Sequence, residues 1–380
     1  MPVAGKRLKE KTQALWSSPS HIAIALLVGA ACLDFAIGDP WGWPHPVQAM
    51  GKVISLYSQW AIKQSYGALA MRLLGIGLTV LLVGGTAVAS SLVLVLLAKI
   101  SLWLQAIVEV VLLASCFAGR SLRRAAEDVL QPLSKVVPEM IQLNQDRSHQ
   151  GQSRQDTHQE VSERADMEPL MEAPLIEARR RLAMVVGRDT ASLSSAEIRR
   201  AVLETVSENA IDGVLAPLFY AVVGSLFGAA VPVALAYKAA STLDSMVGYK
   251  ASPYTHLGWF SARFEDALTW LPCRLSVLTV AILSGRPVQV LRVCQRDAIA
   301  DPSPNAGWSE CAYAAALGVQ LGGLNTYRGQ VKMKPLLGDN NRPITTAVIT
   351  QALQLTRWSF LIGLSVGILL IELRFSHRFM

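Results

Sequence analysis

Long apolar runs alternate with compact polar clusters along the chain. The runs fall at residues 22–37, 73–98, 100–118, 214–237, 267–285 and 358–372. Leu73 to Ala98 is 26 residues without a charge, and Val214 to Tyr237 is another 24. A membrane-crossing helix needs about 20 predominantly apolar residues. Core helices of soluble proteins keep a polar face, which these runs lack. The pattern predicts an all-α, polytopic integral membrane protein, with polar helices and loops gathered on the cytoplasmic side of the bilayer. The first and last runs are short for a full crossing and suit a tilted, re-entrant or interfacial placement.

The polar stretches divide the chain further. Residues 1–20 form a basic N-terminal segment, and 21–120 carry membrane helices with the loop "IGDPWGWPHPV" between them. Residues 121–174 are polar, and their 143–174 part is so poor in large apolar side chains that disorder is expected. Residues 175–330 hold most of the polar clusters, and 331–380 a C-terminal membrane segment. "LIEARRRLAMVVGRD" reads as an amphipathic helix. The stretch 195–213, "SAEIRRAVLETVSENAIDG", reads as a helix capped by Ser194 or Ser195, with Glu197 in its first turn and Gly213 ending it.

Composition supports the membrane reading: 52% of residues are hydrophobic and 17% charged, against roughly 25% charged in a soluble domain. The net charge of +7 does not point to nucleic acid, because no basic stripe is interleaved with aromatics. Basic residues cluster instead beside apolar runs, as in Lys6-Arg7-Lys9-Lys11 and Arg120-Arg123-Arg124, where they suit cytoplasm and anionic headgroups. The five cysteines are odd in number and lack CxxC spacing, which argues against a disulfide framework or a zinc site.

Glu204, Glu208 and Asp212 recur at i, i+4 and i+8, so they share one helix face beside Asn209. Like charges at this spacing repel. The face is either solvated or holds a cation, and oxygen-only ligands suit Mg²⁺. "STLDSMVGYK" sets Asp244 among Ser241, Thr242 and Ser245, with Lys250 following. The chain has no Walker A motif. "SARFEDALTW" supplies Arg263, Glu265 and Asp266, and "DPSPNAGWSE" presents Asn305 from a proline-stiffened turn. In the opening loop, prolines hold Asp39 and His45 on a fixed path, while Trp41 and Trp43 suit the headgroup level. The residues alone say membrane enzyme, or else a transporter of a charged substrate. A transporter should show broken helices in two related halves, which the sequence does not display.

Topology poses a problem. If 22–37, 73–98, 100–118 and 214–237 all cross, Asp244 and Asp212 lie on opposite sides. Reading Val214–Tyr237 as a re-entrant hairpin, with Pro217 and Pro232 flanking a turn at Gly228, returns them to one side. Basic residues at the N-terminus and at Arg120–Arg124 both point inside, which requires 22–37 not to cross fully.

Six blocks in order, "DFAIGDPWGWPHPVQAMG", "GRDTASL", "ETVSENAIDGVLAPLFYAVVG", "STLDSMVGY", "ARFEDALTWLPCRL" and "DPSPNAGWSECAYAAALGVQLGG", resemble the adenosylcobinamide-phosphate synthase family of cobalamin biosynthesis. The likeness covers residues 22–120 and 175–330. Ser241 stands where the family pattern has Asn, and Glu265 where it has Asp. The resemblance implies an ATP-dependent ligase that joins the free carboxylate of adenosylcobyric acid to aminopropanol or its O-phosphate through an acyl-phosphate, with Mg²⁺. Because ATP is cytosolic, it implies an active site on the cytoplasmic face of the cell membrane. By the same resemblance, Glu208, Asp244 and His45 are expected to be catalytic. Asp39, Asp212 and Asp244 are expected to hold metal, and Asn209, Asn305, Arg188, Arg263 and Ser245 to bind substrate.

Overall fold

A computed structural model describes residues 19–38, 45–64, 66–149 and 172–376. Thirteen helices and one hairpin appear among the described residues: α1 (Pro19–Ala36), α2 (Pro46–Lys63), α3 (Ala68–Ile100), α4 (Leu102–Ala114), α5 (Gly119–His149), α6 (172–182), α7 (Ser195–Asn209), α8 (Ala216–Ser225), α9 (Ala230–Val247), α10 (Trp259–Leu283), α11 (Pro287–Asp297), α12 (Ala306–Leu317), β1 (Leu321–Tyr327), β2 (Gln330–Leu337) and α13 (Thr346–Ser376). Six helical stretches are long and apolar enough to cross a membrane. The apolar window of α3 is only 17% buried. Its outward Leu73, Val80, Leu81, Val88 and Leu92 need lipid as their solvent.

The apolar runs fold into two packed cores. One joins α1, α2, α3, α4, α8, α9 and the end of α13 through residues such as Leu27, Ile54, Leu82, Leu113, Phe117, Leu235 and Ile371. The other joins α5, α6, α7, α10, α11, α12, the hairpin ends and the start of α13 through Val129, Leu182, Leu203, Val277, Val290, Tyr313 and Ile349. We term the first the bundle and the second, which adjoins it, the cap; both draw on stretches apolar enough to cross a membrane.

Contacts along α1 set the direction of the bundle. His21, at its start, lies 3.7 Å from Glu372. Phe35, at its end, meets the Arg357 guanidinium on its ring face and accepts a 2.8 Å bond from Arg120 at its carbonyl. Residues 22–37 therefore run antiparallel to α13 from the far end of the bundle to the cap end, in a helix that is among the stretches long and apolar enough to cross a membrane. The last apolar run, short in the sequence, belongs to a 31-residue helix.

Val214–Tyr237 is a hairpin, as the prolines and glycine suggest. α8 climbs to a turn at 226–229, where Gly228 has φ +70°, and α9 packs back beside it. Asp212 and Asp244 thereby return to one end of the bundle. Gly213 does not end its helix. Residues Ala210–Leu215 form a π-helical turn that carries α7 directly into α8. Pro217 explains this: it has no N–H to donate to the carbonyl of residue 213 and its ring crowds that carbonyl. The Gly213 carbonyl takes a 2.9 Å bond from the Ala118 N–H instead. Pro272 inside α10 similarly frees the Leu268 carbonyl, which accepts from the Tyr220 hydroxyl at 2.9 Å.

The all-α expectation holds, and the structure adds detail to it. The predominantly helical fold contains one antiparallel hairpin, turned by Arg328 (φ +50°) and Gly329 (φ +76°), the two positive φ values that a tight hairpin turn requires. A boundary at 330 falls at the first residue of its second strand. The helix expected over Leu175–Asp189 stops at 182, and backbone expected to be disordered from 143 is helical through His149; residues 150–171 lie outside the described residues.

Candidate functional site

α7 starts at the Ser194 cap, where a full capping box links Ser194 and Glu197. Its acidic face then divides. Glu204 is buried: its Oε2 pairs with the Arg188 guanidinium and its Oε1 accepts the Gly322 N–H at 2.9 Å. One turn on, Glu208 and Asn209 present surface to solvent, and Asn209 Nδ2 donates back to the Thr205 carbonyl. Asp212 follows in the π turn. Such turns recur at functional sites because they break the helical register.

The electrostatic interactions gather the remaining acids around these two. Asp212 feels the charges of Glu265, Glu208, Asp244 and Lys238. Asp244 feels Asp266 and Glu208, and Glu208 feels Lys334 and Asp301. Acids from the α7–π segment, α9, α10 and the loop before α12 thus meet at the cap end of the bundle. Among the described residues, none of Glu208, Asp212, Asp244 or Asp266 forms an ion pair. The Asp244 carboxylate lies against the Gly248 backbone, where any Cβ would overlap Oδ1. Beneath it, Glu265 accepts from the Thr269 hydroxyl. Because that proton is committed, the Tyr237 hydroxyl donates to Thr269 Oγ1 at 2.9 Å, and the Tyr237 ring stacks on Tyr220 at 4.7 Å.

The other sequence-selected residues build walls. Asn305, only 5% exposed, donates from Nδ2 to the Asp266 carbonyl at 2.9 Å, while Arg274 donates to the Pro304 carbonyl at 3.0 Å. These bonds dock the proline loop onto α10. Arg263 stacks on the Trp259 ring, which Arg72 also approaches. Ser245 donates to the Thr242 carbonyl at 2.9 Å. His45 is the N-cap of α2, its Nδ1 accepting from the Val47 N–H at 3.2 Å. A Cβ at Gly51 of α2 would lie 3.5 Å from Met246 Sδ, two residues past Asp244, so α2 packs close to this part of α9. Asp39 lies outside the described residues. Arg188 binds Glu204 and, at 2.8 Å, Asn325 Oδ1.

The sequence reading missed the role of the "GRD" block as a latch for the hairpin. Asp189 accepts from the backbone N–H groups of Arg328 and Gly329 at 3.0 and 2.7 Å. Arg200 donates to the Gly322 and Leu324 carbonyls. Lys334 and Glu310 were missed altogether, although a lone Glu directly before the apolar run "CAYAAALG" was a visible signal. Lys334 Nζ reaches both Glu310 oxygens, at 3.0 and 3.3 Å. Burial pushes the Glu310 carboxyl up to about 8, with the Lys334 ammonium opposing. Burial also works against the charge on Lys334, but the carboxylates of Glu310, Glu204 and Glu208 outweigh it and hold that ammonium above its ordinary range.

Among the described residues no group of three or more His, Cys, Asp or Glu is arranged to enclose a metal ion. The donor set fits a hard cation that keeps its waters and uses one or two carboxylates, not a closed cage.

A family profile described as CobD/Cbib protein matches residues 27–145 and 154–356. A protein of Synechocystis sp. named cobalamin biosynthesis protein CobD is 47% identical over 351 residues, covering 91% of this chain and 92% of that one. One of Salmonella choleraesuis named cobalamin biosynthesis protein CbiB is 40% identical, covering 85% and 89%, and a CobD of Photorhabdus laumondii is 37% identical, covering 88% and 93%. No solved structure matches.

Proposed function

Because the chain belongs to the CobD/CbiB family of cobalamin biosynthesis proteins, we propose that it is the ligase that joins the free carboxylate of adenosylcobyric acid to the amine of aminopropanol or its O-phosphate, driven by ATP. A carboxylate is a poor electrophile and an ammonium a poor nucleophile, so the two do not condense in water. A carboxylate oxygen attacks the γ-phosphorus of ATP, and ADP leaves. The amine, having lost a proton, attacks the acyl carbon, and phosphate leaves with the C–O electron pair. The site has to bind anions, take a proton from an ammonium and exclude water.

Glu208 takes the ammonium proton, its carboxylate being exposed and in no ion pair among the described residues. Asp212 and Asp244, with Asp39, would hold Mg²⁺, which neutralises phosphate charge when bound. Asn305 and Arg263 shape the wall formed with α10, and Ser245 and Asn209 border the opening. His45 stands at the α2 edge. The cap end of the bundle faces the cytoplasm, where ATP is available. The observation that carries this reading is the clustering of Glu208, Asp212, Asp244 and Asp266 at one end of the bundle, none of them in direct ion-pair contact with a cation among the described residues. Purified protein incubated with adenosylcobyric acid, either amine and Mg-ATP should yield a corrinoid of the amide's mass and one ADP per amide. No such product with either amine overturns the reading.

A further inference from the structure

Among the buried or half-buried ionisable groups without a role in this reaction are Glu310, with no exposed surface, and Lys334, on the second strand of the hairpin. They belong to different elements. Glu310 lies on α12, whose neighbouring Ser309 donates to the Ser207 carbonyl on α7. Lys334 comes across from β2 to chelate both Glu310 oxygens. Its field extends to Glu204 and Glu208. Glu208 is influenced by two cations, Lys334 and Arg188, and Arg188 is held in contact with Glu204. The charge balance next to Glu208 therefore depends on Lys334.

We propose that Lys334 is a positioning residue of the amide-forming site: the hairpin carries its ammonium among the carboxylates, where it fixes Glu310 and offsets the negative charge around Glu208 as the bound anionic reactants pass through the transition state. This rests on the function proposed above. The hairpin does not need Lys334 to stay in place. Asp189 caps its turn, Arg200 holds its first strand, and the Gly322 N–H is bonded to Glu204. Charge and fold can thus be separated by experiment.

The measurement is amide formation by the full-length protein in detergent, with hydrogen exchange across residues 321–337 recorded in parallel. Lys334→Met should lower kcat at least about tenfold with amine KM changed by less than about threefold, the signature of an interaction used in the transition state. Lys334→Arg should restore most of the rate. The double variant Lys334→Met/Glu310→Gln, which leaves no unpaired buried charge, should keep the hairpin protected and stay as slow as Lys334→Met. Wild-type kcat in either Met-containing variant overturns the proposal. So does loss of hairpin protection in the double variant, which assigns the pair to folding, or an inactive Lys334→Arg with an intact hairpin. If the wild type forms no amide while the hairpin is protected, the functional reading itself fails, and this proposal with it.

Discussion

Glu204 and Glu208 are the same residue type, one turn apart on the same helix, yet they sit in two different kinds of region. Around Glu204 every charge has a partner: Arg188, the Gly322 N–H, and beyond them Arg200, Asp189 and Asn325 lock the hairpin to the cap. Around Glu208 the carboxylates of Asp212, Asp244 and Asp266 face one another without an ion pair among the described residues. A buried charge pair breaks even at best against apolar packing, so the closed region specifies geometry. A set of unpaired acids costs stability and persists where a ligand completes it. One helix thus ties a rigid frame to an incomplete site.

The comparison breaks most easily from the open side. Glu208→Gln and Asp244→Asn keep shape and remove charge. Each should lower amide formation by at least about a hundredfold, within the range for general acid–base groups. Thermal unfolding in detergent should not fall, because neutralising one of several repelling acids relieves the others. A variant that unfolds earlier and still turns over would place its carboxylate in the frame instead.

From the closed side the effect should be on stability. Arg188→Ala leaves Glu204 buried without its guanidinium, and removing one partner of a buried pair costs about 3–5 kcal/mol. Denaturant unfolding should register that loss, and Arg188→Met/Glu204→Gln should recover much of it. If the double variant is folded but bound phosphate weakens sharply, Arg188 belongs to the open region after all.

The sequence made the open region legible and left the closed one hidden. Asp244, Asn305 and Glu208 stand out because polar clusters beside apolar runs are rare, and Pro217, Pro232 and Gly228 announced the α8–α9 hairpin that brings Asp212 and Asp244 to one end. The different fates of Glu204 and Glu208 were not readable from their spacing. They depend on Arg188 from a loop and on Gly322 from a strand far along the chain. The π turn was hidden for a similar reason: Gly213 looked like a helix stop, and only the Ala118 N–H shows how its carbonyl is satisfied without ending the helix. Period-based reading misses such long-range partners.

A titration separates the regions more gently. The Glu310 carboxyl is raised from 4.5 to about 8 in the fold, so between those values the folded protein holds a proton that the unfolded chain has released. Stability from this group is full below about pH 4.5 and declines as pH rises through 8. Lys334, raised as well, adds stability lost only at still higher pH. Hydrogen exchange in the hairpin should therefore quicken from pH 6 to 9 once the intrinsic pH dependence is removed, and Glu310→Gln should flatten the trend. Slower corrected exchange at pH 9 would count against the buried, protonated Glu310.

The smallest change tests whether the frame acts on the site at all. Ser194 caps α7 with a reciprocal bond to Glu197, four turns before Glu208 by the pitch of an α-helix, about 3.6 residues per turn. Ser194→Ala should cost about 1 kcal/mol in unfolding free energy and leave kcat unchanged. The helix past its first turn is held by Glu204 and by the Ser309 bond to the Ser207 carbonyl, so fraying at the cap should stop before Glu208. A fall in kcat that tracks the loss of the cap would mean that the frame transmits strain along α7, and the division between the two regions would have to be moved toward the carboxylates.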